Sequence, residues 1–240
     1  MSTYIISDIH GCYDQYRELL SKINFGPEDE LYVLGDVVDR GPEPIKVLLD
    51  LMERDNVTMI LGNHEAMAIA VLGELVKEVS DENIENLSQD IMADLNLWLR
   101  NGGEVTMEKF QKLSHGQRAD VLSFLEDASY YETIEHDDKL YVLVHGGLAG
   151  FDVSKELDEY EPVDLLWERP DYDMEYFPGG RVFLVTGHTP TAYIRYDHKP
   201  FVFQENGHIA IDCGCVFGGN LAAYCIETGE ATYVEGKKRG

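Results

Sequence analysis

Along the first sixty positions, apolar residues come in short unbroken runs separated by stretches with helical spacing. TYII, LYVL and VTMIL (residues 3–6, 31–34 and 57–61) are runs of four or five residues rich in β-branched and aromatic types. That is the pattern of strands buried on both faces. Between the first two runs, Tyr16, Leu19, Leu20 and Ile23 recur three and four apart; between the next two, PEPIKVLLDLMER carries Pro44 near its start. Both read as amphipathic helices, the second opened by proline. Strands alternating with such helices predict a parallel sheet covered on both sides.

Residues 66–138 change texture. AMAIAVLGELVKEV, ENIENLSQDIMADLNLWLR and a stretch near GQRADVLSFLEDA keep a helical period, broken by the Asn101-Gly102-Gly103 turn. They predict a mainly helical insert. From Lys139, KLYVLV and RVFLVT predict two more buried strands. TAYIRYD, FVFQ, HIAID, LAAYCIE and EATYVE then follow with short turns, and predict an antiparallel meander packed on the first sheet as a second one. The segment 151–180 reads as loop, with ten acidic residues from Asp152 to Glu175. With no repeat or low-complexity linker, residues 1–240 are expected to form one domain, ending in a frayed Lys237-Lys238-Arg239 tail.

Composition narrows the class. A chain of 240 residues that is 44% hydrophobic and 27% charged can bury a core without disulfides. Its longest apolar run, Ala66–Leu72, is seven residues, far short of the roughly 20 that span a bilayer. The opening MSTYIISDIHG lacks a basic segment and meets an acid at Asp8, so no secretion leader is expected. Cys12, Cys213, Cys215 and Cys225 are therefore read as reduced core residues of a cytoplasmic protein. A net charge of −26 leaves few cations to release counterions from a polyanion, so neither nucleic acid nor an anionic membrane is an expected partner.

The chemistry lies at the strand ends. TYIIS runs into Asp8-Ile9-His10-Gly11, LYVL into Gly35-Asp36-Val37-Val38-Asp39-Arg40-Gly41, and VTMIL into Gly62-Asn63-His64-Glu65. LYVLV runs into His145-Gly146-Gly147 and VFLVT into Gly187-His188. A single histidine after an apolar strand is usually structural, and His115, His136, His198 and His208 are read so. Five strand ends with metal-capable side chains beside glycine reverse that expectation, because open α/β sheets bind ligands outside the carboxyl ends of their strands. Asp8, His10, Asp36, Asn63, His145 and His188 exceed what one ion with an open position needs. Two ions sharing Asp36 fit, an arrangement built for phosphoryl chemistry. Imidazole with carboxylate, and no thiolate, points to Mn first, with Fe or Zn as alternatives. The sequence holds no HExxH, no GxxxxGK[ST] and no GxSxG, so zincin, P-loop and serine-hydrolase readings fail.

The ordered set DxHG, GDxVDRG, GNHE, HGG and GH resembles the phosphoprotein phosphatase family of dinuclear metallophosphoesterases. That family includes the small bacterial and phage serine/threonine phosphatases and the symmetrical dinucleoside tetraphosphatases. The resemblance runs from Asp8 to His188 and on through Ile211-Asp212-Cys213-Gly214, and departs at Ser7, where glycine is usual. It implies an α/β fold of two mixed sheets packed as a sandwich and flanked by helices, the calcineurin-like metallophosphoesterase fold. It implies Asp8, His10 and Asp36 as ligands of one ion, and Asp36, Asn63, His145 and His188 as ligands of the other. His64 would be the general acid, oriented by Asp39. Arg40 and Arg169, the latter in LLWERP, would grip phosphate, although Arg169 could equally make a surface ion pair with its acidic neighbours. The expected activity is direct hydrolysis of phosphoserine and phosphothreonine in proteins by water activated between the two ions. Symmetrical cleavage of a dinucleoside tetraphosphate is the alternative, and a catalytically silent binding module has no lost ligand to support it.

Overall fold

The computed structural model describes residues 1–76 and 89–237. Strands β1 (Thr3–Ile6), β2 (Glu30–Leu34) and β3 (Val57–Ile60) pair in parallel, with Tyr4 opposite Leu31 and Leu31 opposite Val57. Helix α1 (Tyr13–Lys22) connects the first two strands and α2 (Pro44–Met52) the next two. Proline starts α2 at no cost, because its fixed φ suits the first helical position and its missing N–H would have found no partner there. Two late strands complete the first sheet, β9 (Asn220–Cys225) antiparallel to β1 and β10 (Ala231–Glu235) antiparallel to β9, in the order β10-β9-β1-β2-β3.

The second sheet has the order β4-β5-β6-β8-β7, built from β4 (Tyr131–His136), β5 (Lys139–Val144), β6 (Val182–Thr186), β7 (Phe203–Glu205) and β8 (His208–Ala210). Strands β5, β6 and β8 run parallel, and the two edge strands run antiparallel to their neighbours. The two mixed sheets pack face to face. Successive strand residues point to opposite faces. Thus Ile5, Leu34 and Ile60 meet Tyr141, Leu143, Val185 and Ile209 between the sheets. Their neighbours Ile6 and Val33 pack outward against Leu19, Val47 and Leu48 of the helices. On the far side, Val142, Val144 and Leu184 are covered by Tyr160, Leu165 and Tyr176 from residues 151–180.

Helix α3 (Asn63–Val76) follows β3 directly, and α4 (Gln89–Arg100), α5 (Glu104–Phe110) and α6 (His115–Glu126) form the described part of the helical insert. Trp98, Phe110, Val121 and Leu125 join the helix-side core without exposure. The expected helical segments at 77–79 and 82–88, and the end of the tail at 238–240, lie outside the described residues.

Two expectations are corrected. The terminal strands form no meander: β7 and β8 extend the second sheet, whereas β9 and β10 cross to the first. TAYIRYD is no strand, since Thr191–Tyr193 is a 3₁₀ turn with Thr191 N–H donating to the Asp212 carbonyl. The stretch expected to be a mainly helical insert over 66–138 also contains β4, which borders the second sheet through Ile134 opposite Tyr141. The loop 151–180 also holds a short helix, α7 (Pro162–Leu166), whose single turn is too brief to leave a period in the sequence.

Parallel strands bring their carboxyl ends to one edge, where the following loops touch. Gly35, just past β2, has φ +70°, and a Cβ there would lie 2.2 Å from Gly62 N past β3. Gly35→Ala combines a left-handed backbone with overpacking against main chain. It is expected to lower unfolding free energy by about 2–5 kcal/mol. A wild-type denaturation midpoint in this variant would contradict the close approach of the two loops.

Candidate metal centre and active site

The predicted residues converge at that edge, and six of them do so on strained backbone. Asp8, His10, Asp36, Asp39, Arg40 and His188 all have φ between +43° and +70°. Non-glycine residues rarely adopt this region, and each such position costs about 1–3 kcal/mol. One buried carboxylate holds much of this geometry. Glu65, in the first turn of α3, accepts from Asp36 N (2.7 Å) and Gly62 N (2.9 Å) through Oε2, and from Val37 N (2.8 Å) and Val38 N (3.0 Å) through Oε1. It is fully buried. Burial and the Asp36 charge push its carboxyl up, while the backbone donors pull against them.

Two clusters share Asp36. In the first, Asp36 Oδ2 lies 3.5 Å from His10 Nε2 and 3.9 Å from His64 Nε2. In the second, Asp36 Oδ1 lies 3.3 Å from His145 Nε2, and Asn63 Oδ1 is 3.0 Å from both His145 Nε2 and His188 Nδ1. Ligand atoms of His10, Asp36 and His64, and likewise of Asp36, His145 and His188, lie within 4.8 Å of one another. Asp8 stands beside the first cluster, with Oδ1 4.0 Å from His10 Nε2 and Oδ2 accepting from His188 N at 3.0 Å. Ser7 Oγ also donates to Asp8 Oδ2, so serine in place of the usual glycine adds a hydrogen bond at this carboxylate.

The imidazoles are preset to face inward. His10 Nδ1 meets the Val38 carbonyl at 2.8 Å and His145 Nδ1 the Leu34 carbonyl at 2.7 Å. A carbonyl can only accept, so each Nδ1 carries a hydrogen and turns Nε2 toward Asp36. The buried His64 Nε2 has no hydrogen-bond partner among the described residues. Burial alone would lower His145, but Asp36 lifts it to about 10. Burial would likewise raise Asp36, but His145 and His64 hold it well below the usual carboxylate range. Burial, then the charge of His145, pushes His188 down to about 3. Burial followed by Asp212 and Asp36 raises Asp8 well above its ordinary value. A proton and a divalent cation compete for these lone pairs, and the inward oxygen and imidazole set fits the cation.

His64 and Asp39 form a separate pair, Nδ1 to Oδ2 at 2.7 Å. The helical insert locks it: Trp98 Nε1–H donates to Asp39 Oδ2 at 2.8 Å and Thr106 Oγ1 to Asp39 Oδ1 at 2.6 Å. The Asn101-Gly102-Gly103 turn also touches the site, because Arg40 N–H donates to the Gly102 carbonyl at 3.1 Å. Arg40 Nη1 lies 2.5 Å from His10 Nε2. Above Asp36 opens a cleft of about 180 Å³ lined by Arg40, Asn63, Asn101, Trp167, Arg169 and His188. Arg169 thus faces the cleft, and among the described residues it forms no ion pair with the acids around it.

Sequence reasoning gave no role to Glu65, Trp98, Asn101, Thr106 or Asp212. Asp212 is buried behind Asp8, accepting from Gly214 N at 2.8 Å, and burial lifts it to about 6. It ends an apolar strand beside glycine, the same signal that marked the other strand ends. Glu65 was visible only as a member of GNHE, and nothing local marks Trp98 or Thr106, which reach Asp39 across 59 and 67 residues.

The fold and this edge of metal-capable side chains define a metallophosphoesterase. The profile of the family described as calcineurin-like phosphoesterase matches residues 1–221, and the chain belongs to that family. It is a hydrolase of a class that uses divalent metals. It is 26% identical to a symmetrical bis(5'-nucleosyl)-tetraphosphatase of Baumannia cicadellinicola subsp. Homalodisca coagulata over 277 aligned residues, covering 100% of this chain and 94% of that protein. A protein of the same description from Pseudomonas putida (strain W619) is 27% identical, with 96% and 91% covered. Among solved structures, one provisionally described as a diadenosine tetraphosphatase superposes with TM-score 0.68 at 21% identity, over 99% of this chain and 95% of that one. A protein serine/threonine phosphatase from Saccharomyces cerevisiae gives TM-score 0.58 at 15% identity, over 100% and 81%. These structural likenesses bear on the fold alone.

Glu65 offers the sharpest test of how the site is held. Glu65→Gln replaces one acceptor oxygen with a donor and strands two buried backbone N–H groups. At about 1–3 kcal/mol each, the variant should lose about 2–6 kcal/mol in denaturant unfolding. A loss below about 1 kcal/mol would show that the loops hold without this carboxylate.

Proposed function

We propose that this chain hydrolyses dinucleoside tetraphosphates symmetrically, adding one water to the central P–O–P bridge to give two nucleoside diphosphates. The observation that carries the reading is the cleft itself: Asp36, shared by two clusters, forms its floor, and two guanidinium groups stand at its walls. Similarity along nearly the whole length of symmetrical tetraphosphatases supports this substrate over a phosphoprotein. It shifts the preference to what the sequence reading held as its alternative. The chain's charge of −26 disfavours a polyanionic substrate in general, yet Arg40 and Arg169 make the cleft locally attractive to phosphate.

Asp8, His10, Asp36, Asn63, His145 and His188 would hold two divalent ions, with Mn²⁺ the first candidate for this donor set. When bound, such ions make water nucleophilic at neutral pH and neutralise charge on phosphoryl oxygens. The remaining work belongs to side chains. Arg40 and Arg169 offer forked N–H donors to the oxygens of the phosphoryl group, where charge spreads during transfer. Asp39 fixes the Nδ1–H tautomer of His64 and points Nε2 into the site, where a protonated ring hands its proton to the departing oxygen. Trp98 and Thr106 occupy Asp39 so that its carboxylate stays aimed. Four buried free thiols support a reducing, cytoplasmic setting. No helix among the described residues is long and apolar enough to cross a membrane.

One observation favours a second reading. A buried, doubly supported His–Asp pair suits a strongly basic leaving group better than a phosphate. Phosphoserine and phosphothreonine have such alkoxide leaving groups, so a phosphoprotein substrate keeps a place behind the dinucleotide.

The deciding assay incubates the enzyme and Mn²⁺ with diadenosine tetraphosphate in H₂¹⁸O, alongside a phosphoserine peptide. ADP as sole product, with one ¹⁸O per two ADP, abolished by chelation and restored by Mn²⁺, is the expected result. ATP plus AMP, or faster turnover of the peptide at equal concentration, would overturn it. His64→Asn should slow phosphoserine hydrolysis by about 10²–10⁴-fold and p-nitrophenyl phosphate hydrolysis much less, since nitrophenolate departs almost unaided. Equal losses on both esters would contradict the acid role.

A further inference from the structure

Beside the phosphate cleft lies a second hollow of about 230 Å³, between the loop after β6 and the loop after β8. Pro190, Tyr193, Pro200, Gly214, Phe217 and Gly218 form most of its wall, and among the described residues no charged one lines it. Two large rings there stay in water: Tyr193 is 80% exposed and Phe217 64%. Phe217 is thrown outward by its backbone. It ends a 3₁₀ turn (Cys215–Phe217) set between two left-handed glycines, Gly214 at φ +69° and Gly218 at φ +84°. The loop after β6 is also fixed, by Thr191 N–H on the Asp212 carbonyl at 2.8 Å. The rings therefore project from anchored turns.

The hollow and the cleft are neighbours. Arg40, which lines the phosphate cleft, places its guanidinium carbon 5.4 Å from the centre of the Phe217 ring. His188 lines the cleft and Pro190 the hollow, two residues apart on one loop and so at most about 7 Å along the chain. Across that short span the surface changes from guanidinium and imidazole to aromatic and glycine. A nucleotide changes character in the same order, from phosphate through ribose to a flat base. An uncharged wall with exposed rings offers a base its π-faces, and glycine lets main chain approach its edge.

Resting on the dinucleotide reading above, we infer that the Tyr193–Phe217 hollow is the subsite for one nucleobase of the substrate. Arg40 then has two contacts to make, phosphate on one side and the Phe217 ring on the other, which couples seating of the base to the grip on phosphate. The ligand class is a nucleoside base attached to a polyphosphate.

The test compares diadenosine tetraphosphate with inorganic tripolyphosphate, which lacks a base, in Tyr193→Ala, Phe217→Ala and Tyr193→Phe. Stacking on one aromatic side chain is worth roughly 5- to 150-fold in binding. The ratio of kcat/KM for the dinucleotide over tripolyphosphate should fall by about that factor in each alanine variant and recover in Tyr193→Phe. Adenosine alone should give a saturation-transfer NMR signal with wild type that Tyr193→Ala loses, a readout independent of turnover. Both rings are exposed, so unchanged thermal melting will show that the variants fold. If wild type cleaves diadenosine tetraphosphate but the ratio and the adenosine signal are unchanged in both alanine variants, the subsite assignment is wrong and the proposed function stands. If wild type leaves the dinucleotide intact and cleaves only the phosphopeptide, both fall.

Discussion

Four main-chain N–H groups from two loops end on the carboxylate of Glu65, and the site is organised around that knot. The loop after β2 must present Asp36, Asp39 and Arg40 inward on left-handed backbone, a conformation that a free chain would not keep. The amide groups of Asp36, Val37 and Val38 find their acceptor outside the loop. A carboxylate with two oxygens and no hydrogen to offer satisfies three of them together with Gly62. Because Glu65 sits in the first turn of α3, directly after Asn63 and His64, the same bonds fix the spacing of the loops after β2 and β3. The loop after β1 joins them through His10 N–H on the Asp36 carbonyl at 2.8 Å and Gly11 N–H on the Val37 carbonyl at 2.8 Å.

The second sheet is tied in through Asp36 and Asn63. His145 and His188 come from the ends of β5 and β6, and both reach Asn63 across the sandwich. Packing between the sheets sets that distance, so the apolar layer of Ile5, Leu34, Leu143 and Val185 acts on the chemistry through geometry. The helical insert acts on another member. Its Trp98 and Thr106 occupy both oxygens of Asp39, so an insert whose described residues add no member to either cluster still determines how His64 is oriented. Strain at six functional positions is offset by such bonds and by burial.

How far the sequence foretold this depended on whether a signal was local. Short apolar runs ending in Asp, His or Asn beside glycine marked the five strand ends and nine of the candidate site residues, because strand, turn and side chain lie within one stretch of chain; Arg169, in LLWERP, came from the family resemblance instead. The parallel pairing of β1, β2 and β3 was legible for the same reason. The paths of β9 and β10 were not: alternation marks a strand but does not say which sheet receives it. TAYIRYD has strand-like composition, yet the Asp212 carbonyl draws Thr191 into a turn, a contact between residues distant in sequence. Trp98 and Thr106 escaped notice because a buried aromatic on a helix face looks like core until its N–H is seen to have a partner. Asp212 carried the strand-end signal and could have been read.

Everything above turns on Asp36 standing between two ligand clusters, so the most direct measurement is a crystal structure of the Mn²⁺-soaked enzyme with anomalous scattering. The account predicts two anomalous peaks per chain, one on the His10 side and one on the His145 side, both within bonding distance of the Asp36 carboxylate. A single peak at full Mn²⁺ occupancy, or two peaks that Asp36 does not touch, would contradict it.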